Sequence, residues 1–355
     1  MGKLFCDSSA VAETLAPPPP PLLLQWTDAT PIAVPPPQIA SLWGSLPGLE
    51  DQQRRSLEKI SDRGVSWKNP ADEAAPAAVF RLEHGGDVEA DGNCLFTAAR
   101  RAMGSKVEAR ELRKRTVRRF LEDYAAEERK EAVDAAVRHL YSPDLKAGWG
   151  IHIVQEVKLL AKKEDREQFG VAIQELVDLR IQREVAAESI YKERCIFVND
   201  GSSWAKYMLI SGSPEDEYDI ITLQYTEDGL LTVDENQDGH AAAFGDDIAI
   251  ECLATEFKRE VYVVQAHGSD AMADEDNCVF FLPHRPRGQI CEIPIFLFMK
   301  GTGWCGAGAD HYEPLVATPI PFTSSEKCFV ISGHKQWSYQ ASVLHPINSE
   351  HIKYI

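Results

Sequence analysis

A short turn that runs directly into an apolar helix face most constrains how this chain folds, because it fixes where one buried helix begins. The turn is Asp91-Gly92-Asn93-Cys94, and the apolar residues that follow it are Leu95, Phe96, Ala98 and Ala99. Their spacing predicts a helix over 94–103. The Cys94 sulfur then lies at a helix N-terminus, where unpaired N–H groups and the positive end of the helix dipole stabilise a thiolate. We therefore expect the pKa of this thiol to fall below its ordinary value of about 8.5, which makes Cys94 a candidate nucleophile.

Charge and cysteine usage narrow the class of protein. The net charge of −18 over 355 residues argues against a nucleic-acid-binding protein, which would carry a basic face, and fits a partner that presents lysines or arginines. No apolar run approaches the roughly 18 residues of a membrane span, and Asp7 interrupts the apolar residues of the N-terminus, so no secretory signal is predicted. We expect a cytoplasmic or nuclear protein whose eight cysteines are reduced. The cysteines and histidines lack zinc-ligand spacing, so a structural metal is not expected.

Residues 1–48 are predicted to form a disordered, proline-rich tail. Proline runs at 17–21 and 35–37 favour an extended polyproline II segment, which acts as a spacer or docks on an aromatic-lined groove. Gly2 and Cys6 allow a second interpretation, in which a myristoyl and a palmitoyl group attach the chain to a membrane. Cys6 stands where the acylation motif has Ser or Thr, so a membrane partner is not expected.

The rest of the chain is predicted to have three parts. Residues 49–77 are a helix and a linker, 78–320 a compact α+β domain, and 321–355 an extension of unknown role. The predicted helices lie at 94–103, 107–124, about 150–193 and 248–257. The predicted strands lie at 260–264, 278–282, 293–299 and 312–317.

A cysteine nucleophile needs a base, and His311 is the best candidate among the ten histidines. It follows a glycine-rich loop at 301–308 and opens a predicted strand, whereas most of the other histidines, His84 among them, stand in polar, helical or C-terminal surroundings. In a strand, residues i and i+2 share a face, so Glu313 would lie beside His311 and orient its imidazole. An exposed strand with a weak Glu–His pair has the same spacing, and the spacing alone favours that interpretation.

Two motifs carry a resemblance to a known family. The sequence Asp-Gly-Asn-Cys-Leu-Phe at 91–96, followed by a helix, and the sequence His-Tyr-Glu-Pro-Leu at 311–315, which opens a strand, resemble the ovarian tumour (OTU) family of cysteine proteases, which are deubiquitinases. The Leu112-Arg113 pair in the next helix is similar to a Leu-Arg pair of that family. The stretch 244–264 is similar to its Trp-Gly-rich turn, helix and central strand.

The likeness covers roughly residues 80–317 and has three departures. Phe244 stands where the family usually has Trp, and Glu313 stands where it more often has Asp or Asn. The nucleophile and the histidine are also further apart in sequence than in compact members. The resemblance therefore implies a papain-like OTU fold, a small central β-sheet flanked by helices, with a helical insertion at about 130–193. Such an insertion is similar to the helical arms with which larger members hold ubiquitin.

The resemblance implies that Cys94 is the nucleophile and His311 the general base of a ubiquitin isopeptidase that needs no cofactor. Glu313 is the expected orienting acid, with Asp91 as the alternative. The backbone N–H groups of Gly92, Asn93 and Cys94 would form the oxyanion hole.

The same resemblance implies ubiquitin, polyubiquitin and ubiquitinated proteins as partners. Asp246 and Asp247, within an acidic segment at 214–251, are expected to contact the two arginines of the ubiquitin tail, although a solvated acidic loop has the same composition. Tyr312 is a further candidate for substrate contact. Two alternatives stay open: a thiol protease acting on another ubiquitin-like modifier or a peptide bond, and a non-catalytic scaffold that binds ubiquitin.

Overall fold

The computed structural model describes residues 43, 46–70, 72, 74, 76–146, 154–266, 279–300, 311–321 and 328–331. The predictions for Gly2 and Cys6, for the proline runs, for the loop at 301–308 and for most of 321–355 lie outside these residues. Within them, no helix combines the length and apolar character that crossing a membrane requires.

The helices and strands alternate irregularly along the chain. The helices are α1 Asp51–Arg63, α2 Cys94–Ala102, α3 Ala109–Tyr124, α4 Glu127–Tyr141, α5 Arg166–Asp178, α6 Arg183–Arg194, α7 Gly201–Leu209 and α8 Asp247–Phe257. The strands are β1 Val65–Trp67, β2 Ala78–His84, β3 Gln155–Lys162, β4 Ile196–Phe197, β5 Tyr218–Thr226, β6 Gly229–Asp234, β7 Val261–Ala266, β8 Val279–His284, β9 Ile295–Lys300, β10 His311–Ile320 and β11 Phe329–Ile331. The mixture of helices and sheets agrees with the predicted α+β class.

A mixed sheet of seven strands, in the order β11-β1-β2-β10-β9-β7-β8, forms the centre of the fold. The pairs β1–β11 and β7–β9 are parallel and the other neighbours are antiparallel. Both faces are buried, because alternate residues of the central strands are apolar on both sides: Val261 and Val263 pack with α2, α3, α7 and α8, whereas Tyr262 and Val264 pack with α1. The sheet is therefore larger than the small sheet expected.

Local sequence patterns predicted the elements around the turn at 91–94 well. Helix α2 begins at Cys94 as expected, and its apolar residues Leu95 and Phe96 are fully buried. Helices α3 and α8 and strands β7, β9 and β10 also lie where their periodicity placed them, with boundary shifts of a few residues. These elements confirm the secondary-structure predictions for both ends of the domain.

The predicted helical block at 150–193 is wrong for its first part. Residues 155–162 form strand β3, which lies in a second sheet of order β4-β3-β5-β6 and has its own core with α5 and α6. Val157, Leu159 and Ala161 alternate on the buried face, but the Glu, Lys, Gln and Leu residues around them also favour helix. Pairing with β5, which lies about 60 residues later, decides the conformation. The expected helical insertion is thus a mixed α/β unit.

The predicted boundaries at residues 48, 78 and 320 are also wrong. Trp43 and Leu46, assigned to the tail, are buried against the seven-stranded sheet. The helix predicted within 49–77 is present as α1 and covers one face of that sheet, and strand β1, predicted as linker, extends the sheet. Strand β11 pairs with β1 beyond the predicted end of the domain. A strand of three residues carries too little periodicity to be recognised without its partners.

Candidate active site

The turn at 91–94 is held by its own side chains. Asp91 Oδ1 accepts the Asn93 backbone N–H at 2.9 Å, and Asp91 Oδ2 accepts the Asn93 amide at 3.2 Å. Gly92 has φ +78°, and a Cβ there would lie 2.5 Å from the Cβ of Ala242. Glycine is therefore required for both reasons, and the Asp and Asn side chains fix the path of the chain into α2.

Arg113 clamps this turn from helix α3. Its Nη2 donates to the Gly92 carbonyl at 2.9 Å, its Nε to Asn93 Oδ1 at 3.1 Å, and its Nη1 to the Met208 carbonyl at 2.9 Å. The guanidinium also lies 4.5 Å above the centre of the Phe96 ring. Burial lowers the pKa of Arg113 to about 10, which leaves it charged at neutral pH. The sequence marked Arg113 only as half of a Leu-Arg pair; its place on the buried face of α3 was the available signal.

Cys94 is the first residue of α2 and is only 2% exposed. Its sulfur is hydrogen-bonded to the backbone N–H groups of Tyr312 and Leu95, which stabilise negative charge. Burial outweighs them, and the nearby Asp91 acts in the same direction, so the pKa of the Cys94 thiol lies above its ordinary value. The expectation of a thiolate is therefore wrong, because the low-dielectric surroundings disfavour the charged form more strongly than the helix N-terminus favours it.

The contact with Tyr312 brings together the two motifs that the sequence had separated. Tyr312 follows His311 directly, so Cys94 contacts the first residues of β10. His311 and Glu313 share a strand face as expected, with His311 Nε2 at 3.8 Å from Glu313 Oε1. This distance exceeds that of a hydrogen bond. The Glu313 carboxylate lies near Nε2 of His311. The other ring nitrogen of His311, Nδ1, is therefore the one available for proton transfer.

Glu313 has closer partners than His311. Its Oε2 lies 2.7 Å from His84 Nε2, and its Oε1 lies 3.3 Å from Lys300 Nζ. Burial alone would raise the pKa of Glu313, but the hydrogen bond from His84 and the charge of Lys300 outweigh it, so this pKa lies below its ordinary value. The carboxylate is therefore ionised at neutral pH and is held in the interior, where only 1% of the residue is exposed.

His84 is the residue that sequence reasoning missed, because its surroundings looked polar. It ends β2, where Phe80 and Leu82 precede it at alternate positions on the same buried face. That alternation was the available signal.

Of the two acids considered as orienters, Glu313 shares a face with His311, whereas both oxygens of Asp91 accept hydrogen bonds from Asn93. Asp91 therefore forms the turn. The oxyanion prediction also needs a correction at Asn93, since its N–H already donates to Asp91. Gly92 and Cys94 remain the other amides of the predicted set.

Among the described residues, one group of side chains near this site could hold a metal ion. Single ligand atoms of His84, Asp87 and Glu313 lie within 4.8 Å of one another. Lys300 already contacts the Glu313 carboxylate, and His84 directs Nε2 at the same carboxylate at hydrogen-bond distance. These contacts favour a hydrogen-bonded cluster over a cation site.

Tyr312 does not present its side chain to a substrate. Residues next to each other in a strand point to opposite faces, so Tyr312 turns away from His311 and is 2% exposed. Its ring stacks on Phe244 with centroids 5.5 Å apart. Gly245 follows, and a Cβ there would lie 2.2 Å from Leu95 Cδ2, so this turn packs directly against the nucleophile helix. The prediction for Tyr312 is corrected: its backbone, not its ring, belongs to the site.

Asp246 also has a structural position. Its carboxylate caps α8 by accepting the Ala249 N–H at 2.8 Å, and it accepts hydrogen bonds from Trp204 Nε1 and from the Tyr141 hydroxyl. Asp246 is therefore committed to the scaffold and is corrected as a substrate contact. The neighbouring Asp247 lies 3.8 Å from His284 Nε2, and 81% of its side chain is exposed.

Asp246→Ala is expected to lower the free energy of unfolding by roughly 2–4 kcal/mol, because it removes a helix cap and leaves two buried donors without their acceptor. Asp247→Ala is the matched control and should change it by no more than about 0.5 kcal/mol. Urea unfolding of both variants measures the difference. Equal losses would contradict the structural role of Asp246.

No protein-family model matches this chain, and no curated protein matches it significantly.

Proposed function

We propose that this chain is a cysteine-dependent isopeptidase with a papain-like fold of OTU type, and that it removes ubiquitin from conjugates or cleaves polyubiquitin. One observation carries the proposal: the Cys94 sulfur, at the N-terminus of α2, contacts the start of the strand that presents His311 and Glu313. A nucleophile, a base and an acid next to the base are the three parts that thiol acyl transfer requires. The motif resemblance supports ubiquitin as the substrate.

The reaction begins from a neutral thiol, since burial raises the pKa of Cys94. His311 takes the thiol proton while the sulfur forms a bond to the carbonyl carbon of the C-terminal glycine of ubiquitin. The tetrahedral intermediate collapses, the C–N bond breaks, and the lysine amine leaves with the proton held by His311. A water molecule then gives a proton to His311 and attacks the thioester. Collapse of this second intermediate returns the proton to the Cys94 sulfur and releases the ubiquitin carboxylate.

The groups around Cys94 and His311 assist the proposed reaction by their positions and charges. The ionised Glu313 stabilises the imidazolium that forms on His311, as the acid of a catalytic triad does. Contacts that are long in a resting site shorten when substrate binds, which accommodates the 3.8 Å separation from His311. The Gly92 amide, on a turn that Arg113 fixes, is the donor we assign to the oxyanion. Asp247 is the exposed acid that we assign to the arginines of the ubiquitin tail.

Ubiquitin propargylamide tests the proposal, because its alkyne traps a thiol nucleophile that binds the ubiquitin tail. Wild type is expected to gain the mass of one ubiquitin, whereas Cys94→Ala and His311→Ala should not. Cys291→Ala, which removes an exposed cysteine outside the site, is the matched control and should react like wild type. Absence of an adduct on wild type would overturn the proposal. Parallel reactions with propargyl derivatives of other ubiquitin-like modifiers identify a different modifier as the substrate.

A second candidate, a non-catalytic ubiquitin-binding scaffold, draws on one observation. Glu313 is closer to His84 and Lys300 than to His311, so its resting contacts do not orient the base. The scaffold predicts that wild type binds ubiquitin in a titration and yet forms no adduct. Adduct formation decides against it.

A further inference from the structure

His84 makes the shortest polar contact of Glu313, and the reaction above assigns it no part. Its Nε2 lies 2.7 Å from Glu313 Oε2, and each side chain is only 2% exposed. Pairing of β2 with β10 sets this contact, since His84 is the cross-strand partner of Leu315. The ring of Trp43 also packs against the imidazole of His84, with the two ring centroids 5.6 Å apart.

The backbone determines which nitrogen of His84 carries the proton. The Gly86 N–H donates to His84 Nδ1 at 3.3 Å, so Nδ1 supplies a lone pair. A neutral imidazole with an accepting Nδ1 has its proton on Nε2, which therefore donates to Glu313. His84 thus fixes one carboxylate oxygen of Glu313.

Because His84 holds Oε2 of Glu313, the position of the other carboxylate oxygen, Oε1, is fixed as well. Oε1 lies 3.3 Å from Lys300 Nζ and 3.8 Å from His311 Nε2, so an ammonium and the catalytic imidazole share this oxygen. The Asp87 carboxylate is a further charged group, within 4.8 Å of His84 and Glu313. Without His84, the carboxylate is free to rotate, and the charge of Lys300 would draw it away from His311.

We propose that His84 is a positioning residue for the reaction, whose Nε2–H holds Glu313 so that the second carboxylate oxygen faces His311. The inference rests on the proposed function of the site, and it adds a fourth group to the three that the sequence motifs supply. Its effect reaches the reacting atoms only through Glu313 and His311.

Two measurements on the full chain test this role. The first is the rate of adduct formation with ubiquitin propargylamide. The second is the rate of Cys94 alkylation by iodoacetamide between pH 5 and 9, followed by mass spectrometry of the peptide that contains Cys94. The second needs no ubiquitin and reports how the imidazole of His311 assists ionisation of the thiol.

We expect His84→Ala to slow adduct formation by about tenfold, which is less than the effect of losing a positioned base. The variant should also shift the pH dependence of Cys94 alkylation. His84→Gln places an amide nitrogen near the position of Nε2 and should restore the rate to within about threefold of wild type. His84→Asn carries the same amide on a shorter side chain and should resemble His84→Ala, which keeps the test valid if the alanine variant does not fold. Leu82→Ala, a core truncation on the same strand face, should destabilise the protein without moving the alkylation profile.

A wild-type rate and profile in His84→Ala would overturn the proposal. So would a glutamine variant as slow as the asparagine variant, or an equal profile shift in Leu82→Ala, because each result indicates a merely structural role. The proposed deubiquitinase function fails separately, when wild type forms no adduct even though His84→Ala still shifts the alkylation profile.

Discussion

Glu313→Gln is expected to lower kcat for cleavage of a ubiquitin conjugate by about 10²- to 10⁴-fold while KM stays within about threefold. The variant keeps the size of the side chain and an oxygen that accepts from His84, but it removes the negative charge next to His311 and Lys300. In the proposed reaction, the imidazolium that forms on His311 would then lack its counter-charge, which is a cost specific to the transition state. Steady-state kinetics on a fluorogenic ubiquitin substrate measures both constants.

Glu83→Gln is the matched control, because Glu83 belongs to the same strand pair but faces away from His84. It should retain wild-type kcat. A Glu313→Gln enzyme with unchanged kcat would show that His311 works without an acid. A rise in KM alone would instead place Glu313 in substrate binding.

The same carboxylate makes stability depend on pH. The folded-state pKa of Glu313 lies below its value in the unfolded chain, so its ionisation stabilises the fold above about pH 4.3, the ordinary pKa of Glu. That contribution is lost as the pH falls through the lower, folded-state pKa. Glu313→Gln lacks this titration, so its free energy of unfolding should decrease less than that of wild type on going from pH 6 to acid. Urea unfolding at several pH values provides the comparison.

Arg113→Ala should have the largest effect on stability, a loss of at least about 3 kcal/mol in the free energy of unfolding. The substitution leaves a cavity beside Phe96 and removes the donors of three acceptors: the Gly92 carbonyl, Asn93 Oδ1 and the Met208 carbonyl. Arg113→Lys keeps the charge but cannot reach three acceptors in different directions, so an intermediate loss is expected. Cleavage activity should fall as well, because the turn that carries Cys94 loses its support.

Lys114→Ala provides the control, since Lys114 is the next residue of the same helix and is exposed. It should change the free energy of unfolding by no more than about 0.5 kcal/mol. Denaturant unfolding of all three variants gives the comparison. An Arg113→Ala protein as stable as Lys114→Ala would contradict the role of Arg113 in stabilising the turn at 91–94.

What the sequence predicted correctly is local in the chain. The turn at 91–94 and the apolar face of α2 lie within ten residues, and the shared face of His311 and Glu313 needs only the two-residue repeat of a strand. Elements of this kind carry their own signal, because their periodicity exists before any tertiary contact forms.

What it missed depends on partners far away in the chain. The pairing of β2 with β10 places His84 against Glu313, and the surroundings of Asp246 come from Tyr141 and Trp204. The raised pKa of Cys94 also depends on residues far away in the chain, because burial is a property of the whole fold whereas a helix N-terminus is a local feature. A single sequence does not display such pairings.

The parallel pairing of β1 with β11 determines how far this protein can be truncated at its two ends. Val65 lies opposite Phe329, so the first and last described strands border each other at one margin of the sheet. A fragment limited to 78–320 would lose both strands together with α1, which would leave β2 paired with β10 on one side only and uncover Phe80 and Phe298. An open strand next to exposed aromatic residues invites association between copies. The region that contains the two sequence motifs is thus shorter than the folded unit that covers the edge of β2 and these aromatic residues.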